Sequence, residues 1–187
     1  MEFDPDFTHI RRKDRAVADE AWIEAFLQRA PFGVLATAQH DQPYVHGILF
    51  AYDPQRRVIF MHSATEGRTI ANVRLNPKIC FTVAEMGRLL PHPHARGFSV
   101  EYSSVVVFGA ARLVNEPEEM LYGLGKIMEK YAPHLKPGGD YRPLSGADLE
   151  GVAVYCIEIV GWSAKRRQAV EYFRGAYRFE EVITTPR

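Results

Sequence analysis

Residues 60–77 hold the side chains best suited to chemistry: His62, Ser63, Gly67, Arg68 and Thr69. They lie between the apolar run Val58-Ile59-Phe60-Met61 and a stop at Asn76-Pro77. The apolar run reads as a strand, and the segment from Gly67 as a helix of one to two turns. A strand-to-helix turn leaves the first helical N–H groups unpaired and facing outward, where they can hold an anion. Arg68 adds a permanent charge whose planar fork matches phosphate oxygens. Ser63 and Thr69 offer hydroxyl donors beside it. The expected ligand is a phosphate, and its expected bearer a nucleotide; a plain strand–turn–helix unit with one arginine is the competing reading. His62 is the one side chain of the motif that titrates near neutral pH. It reads either as a reactive group or as a hydrogen-bonding residue that orders the turn.

A second feature lies upstream, in Val45-His46-Gly47-Ile48-Leu49. Gly47 leaves backbone uncovered inside a strand, so a flat polar ring could approach and bond main-chain groups. A glycine placed for barrel curvature fits the same position. Other patterns carry less. His92-Pro93-His94 has poor convergence for a metal and no third ligand nearby, so no metal is expected. Gly123-Leu124-Gly125-Lys126 lacks the length and the Ser/Thr of a P-loop and sits in a helical stretch, where it reads as packing. The sequence contains no GxGxxG and no GxSxG, which leaves a Rossmann site or an esterase elbow without support. Lys165-Arg166-Arg167 reads as a soluble end or as a contact to phosphate or nucleic acid.

The 187 residues suit one domain, taken as 1–187 with an arm at 1–17 and a tail at 164–187. Lys plus Arg and Asp plus Glu number 23 each, so no global field draws the chain to nucleic acid or an anionic membrane. No apolar run approaches the ~20 residues of a membrane span. The first residues include Glu2, Asp4 and Asp6, unlike a secretory signal. Cys80 and Cys156 make no framework and read as buried thiols of a cytoplasmic protein.

The elements that must position these residues are mostly strands. Asp19 caps a helix with Trp22, Ile23, Phe26, Leu27 and Ala30 at helical spacing, ended by Pro31. Alternating or apolar strands follow at 34–38, 44–52, 58–61, 78–85, 100–114 and 152–160, with a loop at 86–98. Gly109, inside the fifth strand, marks a bend or a close approach. A third helix starts near Pro117 and carries the stripe Met120, Leu121, Leu124, Ile127, Met128 and Tyr131. Short turns between most strands predict a mainly β domain, a six-stranded antiparallel Greek-key barrel.

Several segments, taken in order, resemble a known family: Gly33-Val34-Leu35-Ala36-Thr37, Gln42-Pro43-Tyr44-Val45-His46-Gly47, Ile59-Phe60-Met61-His62-Ser63-Ala64, Gly67-Arg68, Asn76-Pro77-Lys78 and Glu101-Tyr102-Ser103-Ser104-Val105. The family is the pyridoxamine 5′-phosphate oxidase-like split barrels, and within it the branch of the nitroimidazole-resistance proteins. The resemblance spans roughly residues 9–165. It implies a six-stranded split barrel that binds FMN and forms a homodimer with the cofactor at the subunit interface. It further implies that Ser63, Gly67, Arg68 and Thr69 hold the phosphate and that the backbone of 45–49 meets the ring. His62 would act near the flavin, and Tyr102 and Ser104 would close the site from the second subunit. The implied activity is flavin-dependent reduction of a small organic substrate such as a nitroaromatic. Pyridoxamine phosphate oxidation itself is not expected, because that enzyme's C-terminal substrate-phosphate motif is missing. A non-catalytic carrier or sensor of flavin, haem or deazaflavin is the alternative, followed by a cofactor-free interaction module.

Overall fold

A computed structural model describes residues 6–183. In chain order the elements are β1 (Ala16–Val17), α1 (Glu20–Arg29), β2 (Gly33–Gln39), β3 (Gln42–Ile48), β4 (Ala51–Asp53) and β5 (Val58–Ala64). Then come α2 (Arg68–Leu75), β6 (Lys78–Leu90), β7 (Ser99–Leu113), α3 (Pro117–Tyr131), β8 (Val152–Arg167) and α4 (Phe179–Ile183). The strands form one antiparallel sheet in the order β3-β2-β6-β7-β8-β5-β4, with β1 beside the end of β8. The sheet curls around a core yet leaves β3 and β4 as ends of the path. The fold is therefore a mainly β split barrel.

Alternation along the strands decides what faces inward. Leu35, Ile59, Met61, Phe81, Val105, Val107, Tyr155 and Ile157 are fully buried in the interior cluster. The Asp19 carboxylate accepts from Trp22 N at 3.2 Å and so satisfies one orphan donor at the start of α1. That helix turns Ile23, Phe26 and Leu27 inward; burying each such side chain contributes about 1.5–3 kcal/mol. A second cluster lies outside the barrel, where Leu124 of α3 packs with Phe60, Val114, Val154 and Cys156. Gly123 lets α3 approach, since a Cβ there would lie 2.7 Å from the Phe60 ring. The Gly-Leu-Gly-Lys segment is helix packing, as its setting predicts.

Gly109 is a close approach. The β7–β8 register shifts between Phe108 and Gly109, and a Cβ on Gly109 would sit 2.3 Å from the Glu158 carbonyl oxygen. Burial pushes the Cys156 thiol up to about 11 and raises that of Cys80, so both stay protonated at neutral pH.

The sheet has eight strands where the sequence predicts six. The expected strand 44–52 breaks after Ile48, because Phe50 turns fully inward and its N–H donates to Tyr131 Oη at 3.2 Å. That leaves β4 as a separate short strand. The arm supplies β1, paired through Ala16 and Val17 to Lys165 and Ala164. The expected loop 86–98 is shorter: its first five residues are strand, because β6 runs on to Leu90 where Arg88 clasps Glu101 of β7 through two 2.8 Å contacts, and residues 91–98 form the loop. The tail is likewise held to the barrel. Arg88 Nη1 donates to Glu171 O at 2.8 Å, and Leu89 exchanges backbone bonds with Tyr177.

Candidate functional site

The turn after β5 and the start of α2 meet β3 at one end of the sheet. Gly67 is the N-cap of α2 at φ 138°, a backbone that L side chains rarely adopt, and no side-chain acceptor caps the helix. The first N–H groups of α2 are therefore open to an anion. Arg68 is exposed, and among the described residues its guanidinium has no carboxylate partner. It stands 5.3 Å from the centroid of the Tyr44 ring on β3. Thr69 is buried, with Oγ1 3.5 Å from His46 Nδ1. Burial lowers the His46 pKa, which leaves Arg68 as the fixed charge of the group. Asn72, also buried, donates from Nδ2 to Thr37 Oγ1 at 2.8 Å and ties α2 to β2.

These contacts bring Gly67, Arg68 and Thr69 together with the strand that carries Val45, His46, Gly47 and Ile48. Val45 is 61 % exposed and Leu49 41 %, and β3 ends the strand order, so one edge of its backbone is available. The face above Gly47 is not open. A Cβ on Gly47 would lie 2.2 Å from Phe32 Cε1, so the Phe32 ring occupies the strip that the sequence suggested for a flat ligand. Approach is left to the edge of β3.

Ser63 lies beside the turn, but its hydroxyl donates to Ala64 O at 2.8 Å and meets Tyr155 Oη at 2.9 Å. It could donate to a phosphate only by leaving Ala64. His62, next along β5, is on the opposite face, the one that carries Phe60. Its Nδ1 is buried and has no hydrogen-bond partner among the described residues. Tyr102 and Ser104 are at the other end of the sheet, where Tyr102 pairs with Arg167 of β8 and Ser104 with Lys165. One protomer does not bring them to the α2 turn. Sequence reasoning missed Tyr44, Thr37 and Asn72. The Tyr44–His46 alternation on β3 was the available signal, since it places both rings on one face.

Among the described residues no group of three or more His, Cys, Asp or Glu is placed to hold a metal ion. The His92 ring instead accepts from His94 N at 3.1 Å.

Residues 19–166 match the family model described as pyridoxamine 5′-phosphate oxidase. The chain belongs to the pyridoxamine 5′-phosphate oxidase family. No curated protein matches it. Among solved structures, the flavocytochrome Anf3 from Azotobacter vinelandii superposes with TM-score 0.75 at 22 % identity, over 97 % of this chain and 81 % of that one. A candidate 5-nitroimidazole antibiotic resistance protein from Bacteroides thetaiotaomicron gives 0.67 at 22 %, over 81 % and 86 %. The FAD and haem binding protein from Mycobacterium smegmatis gives 0.74 at 14 %, over 83 % and 74 %. At such identities the likeness is one of fold.

Proposed function

We propose that this chain binds FMN at the α2 turn and uses it to reduce a small organic, nitroaromatic-like substrate. One observation carries the reading: Arg68, with no carboxylate partner among the described residues, stands at a helix N-terminus without a side-chain cap, placed against an edge strand. Arg68 and the first N–H groups of α2 hold the phosphate; the free edge of β3 offers backbone donors and acceptors to a flat ring. Bound flavin would supply two-electron exchange between a donor and the substrate, while the protein binds, orients and excludes water. Purified protein is expected to show flavin absorption bands and to reduce a nitroaromatic. A colourless protein that does not take up FMN on titration would end this reading.

The proposed assembly is a homodimer. Val106 and Phe108 alternate with the buried Val105 and Val107 and face outward. On the same sheet Val34 is 38 % exposed and Met86 49 %, and Phe32, just before β2, is 53 % exposed. An isologous pair would cover such a face and bring Tyr102 and Ser104 to the partner's site. Light scattering on the flavin-loaded protein should give twice the chain mass; a monomer at micromolar concentration would rule the dimer out. No helix among the described residues is long and apolar enough to cross a membrane, and a cytoplasmic location is part of the proposal.

A second reading rests on His62. Its buried, unpartnered Nδ1 on the Phe60 face favours a further group there, and two of the structural neighbours are described as flavocytochrome and haem binding. His62→Ala separates the two readings. As a group that tunes flavin chemistry, His62 on removal changes nitroaromatic turnover across pH 5 to 9 roughly tenfold or more and leaves FMN affinity intact. As a haem ligand, its removal abolishes a Soret band present in the parent. Unchanged turnover with no Soret band in either protein makes it structural.

A further inference from the structure

Lys130, in the last turn of α3, is held in a setting uncommon for an amine. Its Nζ stands 3.5 Å from the centroid of the fully buried Phe50 ring and donates to the Leu27 carbonyl at 3.4 Å. The carboxylates of the elements around it are turned to other partners. Glu129, its neighbour on the helix, pairs with Lys126 at 2.9 Å. Glu24 of α1 accepts from Tyr52 Oη at 2.9 Å, and Asp53 of β4 from Tyr122 Oη at 2.7 Å. Arg29 of α1 points away, to Glu85. Among the described residues no carboxylate forms an ion pair with Lys130.

The Phe50 face and the Leu27 carbonyl fix the amine in place and favour its charged form. Loss of water without a countercharge acts the other way, and burial lowers its pKa to about 8. Tyr52 and Tyr131, the hydroxyls nearby, are raised by burial and stay neutral. Lys130 also lines a cavity of about 350 Å³ with Gln28 of α1, Tyr52, Pro54, Lys126 and Glu129. Lys126, one turn earlier on the same wall, is raised by its bond to Glu129. One cavity thus presents two lysines with opposite proton affinities.

We propose that Lys130 is a nucleophilic lysine that takes an acyl group from a small acyl phosphate in this cavity. The neutral nitrogen attacks the acyl carbon and an N–C bond forms. The C–O bond to phosphate breaks, and the proton of the nitrogen leaves with inorganic phosphate; no electrons are exchanged. The two lysines outnumber the one lining carboxylate, so an anionic donor is favoured over a neutral ester. At pH 7 an amine of pKa about 8 is neutral roughly two-hundredfold more often than an ordinary lysine at about 10.4. Lower basicity weakens the nitrogen as a nucleophile by roughly tenfold, so a net gain of about tenfold remains.

The test incubates the full-length parent and Lys130→Arg with acetyl phosphate, and separately with neutral phenyl acetate, between pH 6 and 10. Peptide mass spectrometry reads the acetylation rate of each lysine. At pH 7 Lys130 should react roughly tenfold faster than Lys126. Its rate should level off above about pH 8, while that of Lys126 climbs throughout. Acetyl phosphate should favour Lys130 over the exposed Lys136 more strongly than phenyl acetate does. Lys130→Arg should lose the fast phase of labelling and keep the slow ones. The comparison of Lys130 with Lys126 lies within one molecule, so it decides the matter even if the arginine variant does not fold. Equal rates at the two lysines, a Lys130 rate still climbing at pH 10, or the same preference with both donors would each overturn the proposal.

Discussion

Arg68→Ala is expected to bind FMN ten- to a hundredfold more weakly than the parent. Arg68 has no carboxylate partner among the described residues and stands beside uncapped helical N–H groups, so its fork is free to take phosphate oxygens. A charge-assisted bond of this kind contributes about 1.5–3 kcal/mol, which converts to that loss at about 1.4 kcal/mol per decade. Riboflavin has no phosphate and should lose almost nothing. Arg68→Lys should recover part of the affinity, since it keeps the charge without the fork. Fluorescence quenching of both flavins by the apo-protein reads all three. Equal losses for FMN and riboflavin would show that Arg68 supports the local fold, and the phosphate would have to be placed elsewhere.

The largest expected effect on stability is at Gly109. Any Cβ there would meet the Glu158 carbonyl oxygen at 2.3 Å, a backbone atom that cannot rotate away. Gly109→Val should therefore cost about 3 kcal/mol, the upper end of overpacking penalties. In a chain of this size that corresponds to a Tm roughly 6–12 °C lower, measured by circular dichroism. Gly125→Ala supplies the contrast. It lies within α3 with nothing within 4 Å of its added Cβ, and should stabilise by roughly 0.5–1 kcal/mol. If Gly109→Val melts like the parent, the bulge relaxes freely and the steric account fails.

Much of this was legible in the chain because it is written in local rules. Asp19 before an apolar 3.6-residue stripe gives α1, Asn76-Pro77 stops α2, and the alternation Ile79/Phe81/Val83 gives the inward face of β6. What was not legible depends on partners distant in sequence. Nothing between Tyr44 and Tyr52 signals a break, since Phe50 leaves the strand to meet Tyr131 of α3. Met86-Gly87-Arg88 looks like a loop until Glu101 supplies its countercharge. Lys165-Arg166-Arg167 looks like a solvated end until β1 pairs with it. At the site, the Gly67-Arg68-Thr69 turn was visible from residue types. The Phe32 ring over Gly47 and the placement of His62 on the Phe60 face were not, because each follows from strand register and not from composition.

Strand β8 pairs with β1, β5 and β7, three elements that precede it by long stretches of chain. During synthesis those strands leave the ribosome with their inner partner missing, and the sheet cannot close until residues 152–167 follow. Most of the pairing is thus non-local, which favours slow folding and a long exposure of unpaired edges. Nascent chains stalled before Val152 would be expected to present β5 and β7 to chaperones, whereas released chains carry the complete barrel.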